Sequence, residues 1–268
     1  MREDDRFPTS VLTDEEVDRF RSEGFLLLDR PVISLDALEE ARALLDRLFA
    51  RFDSLPSKYA KDLTEGARSN EHPRIPEIVQ TAQLAPRLQR SEIMKTCTAI
   101  ARQLYGPSAR LLFDHAIYKP PFNEAATAWH QDAAYGVPGE MGGTMWVPLQ
   151  SVGPEGGCMR FVPGSQRDGL REHAHLASES NPGLLGAGVS TTDVAVCPVQ
   201  AGGLTVHDMF TLHSTGPNRS STFRRVWVLN FSHTAPVPGA GVRAKMRLGA
   251  ALGRARSHLP ATRRRLAG

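Results

Sequence analysis

The chain has 268 residues, of which 41% are hydrophobic and 23% charged, and its formal net charge is +3. This composition is typical of a globular protein and excludes wholesale disorder, collagen and coiled coil, and so small a net charge does not indicate a nucleic-acid partner. No apolar run of about 18 residues occurs, so no membrane contact is expected, and the charged N-terminus predicts no signal peptide.

The first third of the chain predicts helices. A capping box at Thr13–Glu16 begins the first helix, and Gly24 ends it before the apolar run Phe25–Leu28, which is typical of a buried strand. Ser34 is a candidate cap for a second helix, because apolar residues recur after it at helical spacing. A third helix is predicted to begin at Ser91.

After the third helix, short apolar runs alternate with frequent glycine and proline, a pattern typical of antiparallel strands. Five runs are predicted to be strands: Arg110–Lys119, Thr144–Val152, Cys158–Val162, Gly203–His207 and Arg225–His233. Helices followed by these strands predict a single α+β domain over residues 1–268. We expect a sandwich or jelly roll with its β core at about 108–235 and the helices on one side.

Two long segments interrupt the strands, Ala133–Gly143 and Gln166–Thr192. The second has no periodic pattern and contains His173 and His175. A loop of this length in a compact domain is usually either functional or disordered. We therefore expect Gln166–Thr192 to govern substrate binding, with the two histidines as substrate contacts, and a plain insertion is the alternative.

The end of the chain, about 243–268, is rich in lysine and arginine and contains no acidic residue. It is most simply a solvated tail, and a docking site for an acidic partner is the alternative. The three cysteines are far apart and odd in number, which is typical of buried thiols in a reducing compartment, and we expect a cytoplasmic location.

The candidate chemistry lies in the histidines. His130 and Asp132 stand at positions i and i+2, which on a strand places an imidazole beside a carboxylate. A second histidine from a distant strand would complete the 2-His-1-carboxylate face that leaves three adjacent positions of Fe(II) open. Without further evidence, a His-x-Asp pattern more often reflects a core histidine next to a surface aspartate than a metal site.

Further motifs follow one another along most of the chain. They are Leu12–Leu28, Lys119-Pro120-Pro121, His130-Gln131-Asp132, Trp146, Glu155-Gly156-Gly157-Cys158, Pro163-Gly164-Ser165, His213, Gly216-Pro217-Asn218-Arg219-Ser220 and Arg224. With these motifs the sequence resembles the phytanoyl-CoA dioxygenase family of Fe(II)- and 2-oxoglutarate-dependent oxygenases. The resemblance implies a double-stranded β-helix, a cupin-like barrel with N-terminal helices packed on one sheet.

The resemblance also implies the roles of particular residues. His130, Asp132 and His213 correspond to the iron ligands. His213 is favoured over His207 because it is followed by the Gly-Pro-Asn motif and, eleven residues later, by Arg224. At that spacing the family has the arginine that binds the distal carboxylate of 2-oxoglutarate, where a planar guanidinium can form two parallel hydrogen bonds.

Several other residues are implied at the cosubstrate and substrate pockets. The cosubstrate residues are Thr215, Trp146 and His115. Tyr135 is expected to border the substrate. Arg225 is expected to point to the opposite face of its strand from Arg224. The sequence departs from the family pattern where His115 replaces a frequent methionine, where no lysine is found around Ile78-Val79-Gln80, and where Gln166 follows Pro163-Gly164-Ser165.

The function implied by the resemblance is oxidation of a small organic molecule with Fe(II), 2-oxoglutarate and dioxygen. Hydroxylation of a C–H bond is the default, with a natural-product intermediate as the expected substrate. Desaturation, epoxidation, cyclisation and epimerisation remain alternatives, and Asp132 disfavours halogenation because related halogenases carry a small residue there. A metal-binding β-barrel without turnover is a distant alternative, against which Arg224 argues. A nucleic-acid-binding protein is disfavoured because the body is not basic.

Overall fold

A computed structural model of the chain describes residues 10–64, 74–135, 142–175, 185–187, 189 and 193–233. The predicted basic tail, about 243–268, lies outside the described residues, as does much of the segment Gln166–Thr192. A search of the described helices finds none with the length and hydropathy needed to cross a membrane.

The described residues contain four α-helices. Helices α1 to α4 span Asp14–Glu23, Leu35–Phe49, Thr81–Leu84 and Glu92–Tyr105. The three predicted helix starts are confirmed, because the side chains of Thr13, Ser34 and Ser91 accept hydrogen bonds from the first turns of α1, α2 and α4. Gly24 ends α1 in the left-handed conformation, with φ of +79°. The short helix α3 was not predicted, since four residues are too few to show a period.

The strands form antiparallel sheets. Strands β1 to β13 span Phe25–Leu28, Ala60–Asp62, Pro76–Val79, Arg110–Lys119, Thr127–His130, Gly142–Pro148, Met159–Phe161, Ala174–His175, Leu185–Gly186, Ala195–Cys197, Leu204–Asp208, His213–Thr215 and Arg224–Ser232. The larger sheet has the order β1-β11-β6-β13-β4-β3-β2, and the smaller has the order β10-β7-β12-β5. Strands β8 and β9 pair separately, so the segment predicted to lack regular structure contains a short pair of strands.

Two hydrophobic cores cover the two faces of the larger sheet. On one face, Leu45 of α2 and Ile100 of α4 belong to a core that includes Trp227 of β13. On the other face, Val228 of β13 packs in a core with Phe161 of the smaller sheet. Alternation along a strand sends neighbouring side chains to opposite faces, so one sheet serves both cores. The predicted α+β arrangement, with helices packed on one sheet, is therefore confirmed.

The register of the larger sheet determines which side chains share the face turned toward the smaller sheet. On the pair β13–β4, Arg224 lies opposite Lys119 and Val228 lies opposite His115. Strand β6 continues this row, because Trp146 lies opposite Val228. Polar and charged residues thus line the space between the two sheets, beside the apolar residues of the second core.

The predicted strand positions hold better than their ends. Strand Arg110–Lys119 has the predicted limits, whereas β6 covers Gly142–Pro148 instead of Thr144–Val152. Beyond Pro148 the chain turns, and Val152 forms an isolated bridge with Val199. Strands β2 and β3 were not predicted because they are short and largely polar or half-buried. All three cysteines are free and buried, as expected.

Candidate active site

Two histidines and one aspartate form a cluster with the spacing of metal ligands. His130 at the end of β5 lies opposite His213 at the start of β12. One ligand atom from each of these histidines and from Asp132 lies within 4.8 Å of the others. The Nε2 atoms of His213 and His130 are 3.6 and 3.9 Å from Oδ1 of Asp132.

The local backbone at Asp132 differs from the expectation. The prediction that His130 and Asp132 share one strand is wrong, because β5 ends at His130 and Asp132 begins a 3₁₀-helix that runs to Tyr135. The turn between them brings imidazole and carboxylate together where a continuous strand was expected to do so.

Both histidines present the same nitrogen to the cluster. Nδ1 of His130 is 2.8 Å from the carbonyl oxygen of Ala128, and Nδ1 of His213 is 2.9 Å from that of Thr211. Each Nδ1 therefore carries the proton and donates it to the backbone, which leaves a lone pair on Nε2, as in metal-binding histidines. Burial lowers the pKa of His130 and lowers that of His213 still further, although the nearby Asp132 opposes both shifts. Burial thus favours the neutral form of the rings, which is the form that coordinates a metal.

The second oxygen of Asp132 is held from the opposite side. Thr144 Oγ1 donates a hydrogen bond of 2.5 Å to Oδ2, and Asn230 Nδ2 donates in turn to Thr144 Oγ1 at 2.7 Å. His207 Nε2 is 3.3 Å from the same Oδ2. Burial opposes ionisation of Asp132, but His213 and His207 together hold the pKa of the carboxyl well below its usual range. His207 thus contacts the outer oxygen, while the two histidines of the cluster approach Oδ1.

Gln131, between the candidate ligands His130 and Asp132, is held mainly by the segment that was predicted to be a substrate loop. Its backbone N–H donates to Nε2 of His173 at 3.1 Å, and Nδ1 of His173 is 2.7 Å from the carbonyl oxygen of Arg171. The Gln131 side chain donates to the carbonyl oxygens of Gly169 and Phe210 and accepts from the backbone N–H of Arg171. Both ring nitrogens of His173 therefore form hydrogen bonds with the backbone, one of them with the peptide N–H between the two candidate ligands.

A cavity of about 610 Å³ contains the cluster and extends between the sheets. Five of the residues predicted for the cosubstrate or substrate line it together with the three candidate ligands. These five are His115, Tyr135, Trp146, Thr215 and Arg224. The described lining does not include His173, and nothing is described of the side chain of His175, so the predicted substrate contacts of these two residues stay predictions.

Arg224 marks a positively charged end of the cavity. Only 3% of the residue is exposed, and its Nη1 donates to the carbonyl oxygen of Gly157 at 2.7 Å. Its Nε has no hydrogen-bond partner within the described part of the chain, and its guanidinium carbon is 5.8 Å from the ring of Trp146. Burial lowers the pKa of Arg224 to about 10, which still leaves it charged at neutral pH. A buried guanidinium with unused donors is suited to a carboxylate ligand.

The other predicted lining residues contact partners of their own. Thr215 Oγ1 donates to Thr127 Oγ1 at 2.9 Å, across the pair β12–β5. His115 Nδ1 is 2.5 Å from a carboxylate oxygen of Glu77 on β3. The ring of Tyr135 meets that of His130 edge to face at 5.9 Å. The cavity wall near His115 is thus polar and acidic where the family pattern has a methionine.

Sequence reasoning missed Lys119 as a cavity residue. It is 2% exposed, lines the cavity, and donates through Nζ to the carbonyl oxygens of Ala125 at 2.7 Å and Gly216 at 3.1 Å. Strand alternation could have found it, because Lys119 is four residues from His115 on the predicted strand and therefore shares its face. Thr144 and Asn230 were missed as well, and they give no sequence signal beyond their positions on strands.

The model of the family described as phytanoyl-CoA dioxygenase (PhyH) matches residues 20–226. The crystal structure of EvdO2 from Micromonospora carbonacea var. aurantiaca complexed with 2-oxoglutarate has a TM-score of 0.70 and 27% sequence identity, and the match covers 87% of this chain and 95% of that one. A second crystal structure of EvdO2 has a TM-score of 0.71 and 31% identity, over 85% of this chain and 93% of that one.

Two further relatives match by sequence. A protein of Stutzerimonas stutzeri named "Probable alpha-ketoglutarate-dependent hypophosphite dioxygenase" is 28% identical over 141 residues, which are 50% of this chain and 48% of the relative. The mouse protein "Phytanoyl-CoA dioxygenase domain-containing protein 1" is 29% identical over 127 residues, 44% of this chain and 43% of the relative. The matched part thus spans about half the length of each of these two relatives.

Proposed function

This chain belongs to the phytanoyl-CoA dioxygenase family, and on that premise we propose that it is an Fe(II)- and 2-oxoglutarate-dependent dioxygenase acting on a small organic molecule. The observation that carries the proposal is the shared cavity of the His130–Asp132–His213 cluster and the buried Arg224. A metal-binding module without turnover has no need of a buried cation facing the same cavity.

The residues present fit Fe(II). Two neutral imidazoles and one carboxylate are the donor set of the 2-His-1-carboxylate sites that hold non-haem iron. Each imidazole already donates its Nδ1 proton to a backbone carbonyl, and the outer oxygen of Asp132 is held by Thr144. The three ligand atoms are thereby oriented before any metal binds, which favours tight binding.

The residues also fit 2-oxoglutarate. Arg224 offers an unused donor to the distal carboxylate, and Trp146 forms an apolar wall beside the guanidinium. Thr215 also lines the cavity, and its hydroxyl would turn from Thr127 to donate to the same carboxylate. Bound iron supplies the reaction of dioxygen with 2-oxoglutarate that yields succinate, carbon dioxide and an oxidant for the substrate. The protein orients the two organic molecules and limits the access of water to them.

The proposal extends to fold and substrate. The larger and smaller sheets would be the two halves of a double-stranded β-helix, in one domain spanning the chain. A cavity of about 610 Å³ is within the range of small-molecule sites, so the proposed substrate is a small organic molecule such as a natural-product intermediate. Hydroxylation is the default outcome, and Tyr135 on the cavity wall is the proposed substrate contact.

Succinate release is the direct test of this function. We expect the purified protein, given Fe(II), ascorbate and 2-oxoglutarate, to release succinate slowly without substrate and faster with a substrate. His213→Ala is the matched inactive control. Iron binding by the wild-type protein without any succinate release, alone or with a panel of small organic candidates, would support the module without turnover. Product mass then divides the outcomes into three groups, since hydroxylation and epoxidation add one oxygen, desaturation and cyclisation remove two hydrogens, and epimerisation leaves the mass unchanged.

A further inference from the structure

Lys119 and Arg224 form a buried pair of like charges. They lie directly opposite each other on the antiparallel strands β4 and β13 and both line the cavity. Only 2% of Lys119 and 3% of Arg224 is exposed. Like charges directly opposite each other across a strand pair destabilise a sheet, and burial increases the cost of each charge. Such a pair is stable only if a negative charge or further hydrogen bonds in the site offset the repulsion and the burial of the two charges.

Within the described part of the chain, the hydrogen bonds of these two cations go to backbone carbonyls. Lys119 Nζ donates to the carbonyl oxygens of Ala125 and Gly216, and Arg224 Nη1 donates to that of Gly157. Within the described residues no carboxylate forms a salt bridge with either side chain. Burial and then the charge of Arg224 hold the pKa of Lys119 well below its usual range. The pair therefore needs a negative charge that the described part of the protein does not supply.

The ammonium of Lys119 and the guanidinium of Arg224 are bonded to two backbone segments that pack against each other. Gly157 packs against Gly216 so closely that a Cβ on Gly157 would be 2.4 Å from the Gly216 carbonyl oxygen. These are the residues whose carbonyls accept from Arg224 and Lys119, so both cations are fixed next to each other. An ammonium group has three donors and Lys119 uses two of them, while Arg224 keeps an unpartnered Nε.

We propose that Lys119 is a second binding residue for the distal carboxylate of 2-oxoglutarate and shares that carboxylate with Arg224. The inference rests on the proposed function, since it assumes that 2-oxoglutarate is the cosubstrate. A carboxylate between the two cations would supply the missing negative charge and accept the remaining ammonium donor. The alternative is a purely structural role, which we call a structural tie. In that case Lys119 only links the carbonyl oxygens of Ala125 and Gly216 and does not bind the cosubstrate.

A pair of matched ligands separates these roles. 2-Oxopentanoate has a methyl group where 2-oxoglutarate has its distal carboxylate, and both share the 2-oxo acid group that binds the metal. We expect Lys119→Met to weaken the binding of 2-oxoglutarate about ten- to a hundred-fold, the range of one charge-assisted hydrogen bond. The affinity for 2-oxopentanoate should change little. Calorimetric titration of the Fe(II)-loaded protein without oxygen measures both.

Two further variants keep the test decisive. Lys119→Arg retains the charge and should keep most of the discrimination between the two ligands even if Lys119→Met proves unstable. Arg225→Met removes a neighbouring cation on the opposite face and should leave both affinities unchanged. Equal losses for both ligands in Lys119→Met, or no loss for either, would overturn the inference in favour of the structural tie. Failure of the wild-type protein to bind 2-oxoglutarate would instead overturn the proposed function.

Discussion

Arg224 and Arg225 are consecutive on β13 and point to opposite sides of the larger sheet. Arg224 is buried at the cavity beside Trp146. Arg225 is directed to the helical side, where its Nε donates to Asp46 of α2 at 3.1 Å and its guanidinium carbon is 5.5 Å from the ring of Tyr118. Strand β13 thus places Arg224 at the candidate cosubstrate site and Arg225 in contact with α2.

The two arginines therefore predict opposite phenotypes. We expect Arg224→Met to raise the dissociation constant of 2-oxoglutarate about 30-fold to several thousand-fold, because it removes a buried charged partner. Arg225→Met should leave that constant within a few-fold and lower the free energy of unfolding by about 1 kcal/mol, the scale of a half-exposed ion pair. Calorimetric titration and thermal unfolding of both variants measure the two effects. Equal losses of affinity would contradict the assignment of Arg224.

Strand alternation explains why this part of the site could be predicted. Once Arg225–His233 was interpreted as a strand, Arg224 and Arg225 were expected to face opposite ways, and the resemblance to the family, with its spacing from His213, selected Arg224. Lys119 was as accessible to the same reasoning, but its partner is set by the register of β4 against β13. No short turn joins β4 to β13, which are about a hundred residues apart, so the pattern of either strand by itself could not identify the residue opposite Lys119.

The choice between His213 and His207 gives a second prediction. His213 Nε2 approaches the inner oxygen of Asp132, whereas His207 Nε2 approaches the outer one. We expect His213→Ala, like His130→Ala and Asp132→Ala, to abolish specific Fe(II) binding and succinate release. His207→Ala should weaken Fe(II) binding only about 10- to 100-fold, since it removes an outer contact to a ligand. Anaerobic metal titration measures this. Wild-type affinity in His213→Ala together with loss in His207→Ala would exchange the two assignments.

The contacts of His173 in the segment Gln166–Thr192 give a third prediction, which assigns this residue to support of the candidate metal site where a substrate contact was expected. Because His173 accepts from the Gln131 peptide between two candidate ligands, we expect His173→Ala to reduce Fe(II) affinity about ten-fold or more and with it the succinate release seen without substrate. Glu172→Ala, at an exposed neighbouring position, is the matched control and should change neither. Substrate-specific defects in His173→Ala with unchanged iron affinity would favour the original interpretation of a pure substrate loop.

The sequence could not distinguish these two roles of the loop. His173 and His175 alternate on a segment without periodicity, which is equally compatible with substrate contacts and with anchoring. What decides between them is the tertiary position of Gln131, whose side chain is fully buried and bonded to Gly169, Arg171 and Phe210. A glutamine between two candidate ligands gives no local signal of such long-range contacts, so the expectation rested on the length of the loop, its lack of periodicity and its histidines.

Gly157 provides the fourth prediction, because its carbonyl accepts from Arg224 and its Cα packs on Gly216, whose carbonyl accepts from Lys119. It adopts φ of +75°, and a Cβ there would meet the carbonyl oxygens of Gly216 at 2.4 Å and Pro217 at 2.5 Å. Gly157→Ala must displace that backbone, so we expect about 1–3 kcal/mol less free energy of unfolding and weaker 2-oxoglutarate binding. Fe(II) affinity should be retained, since Gly157 bonds to Arg224 and packs on Gly216 and not on the strand ends that carry the candidate metal ligands. Gly153→Ala is the matched control, with φ of −93° and no atom within 4 Å of the added Cβ. Chemical denaturation and ligand titration compare them, and identical behaviour of the two variants would show that the close approach at Gly157 does not shape the carboxylate site.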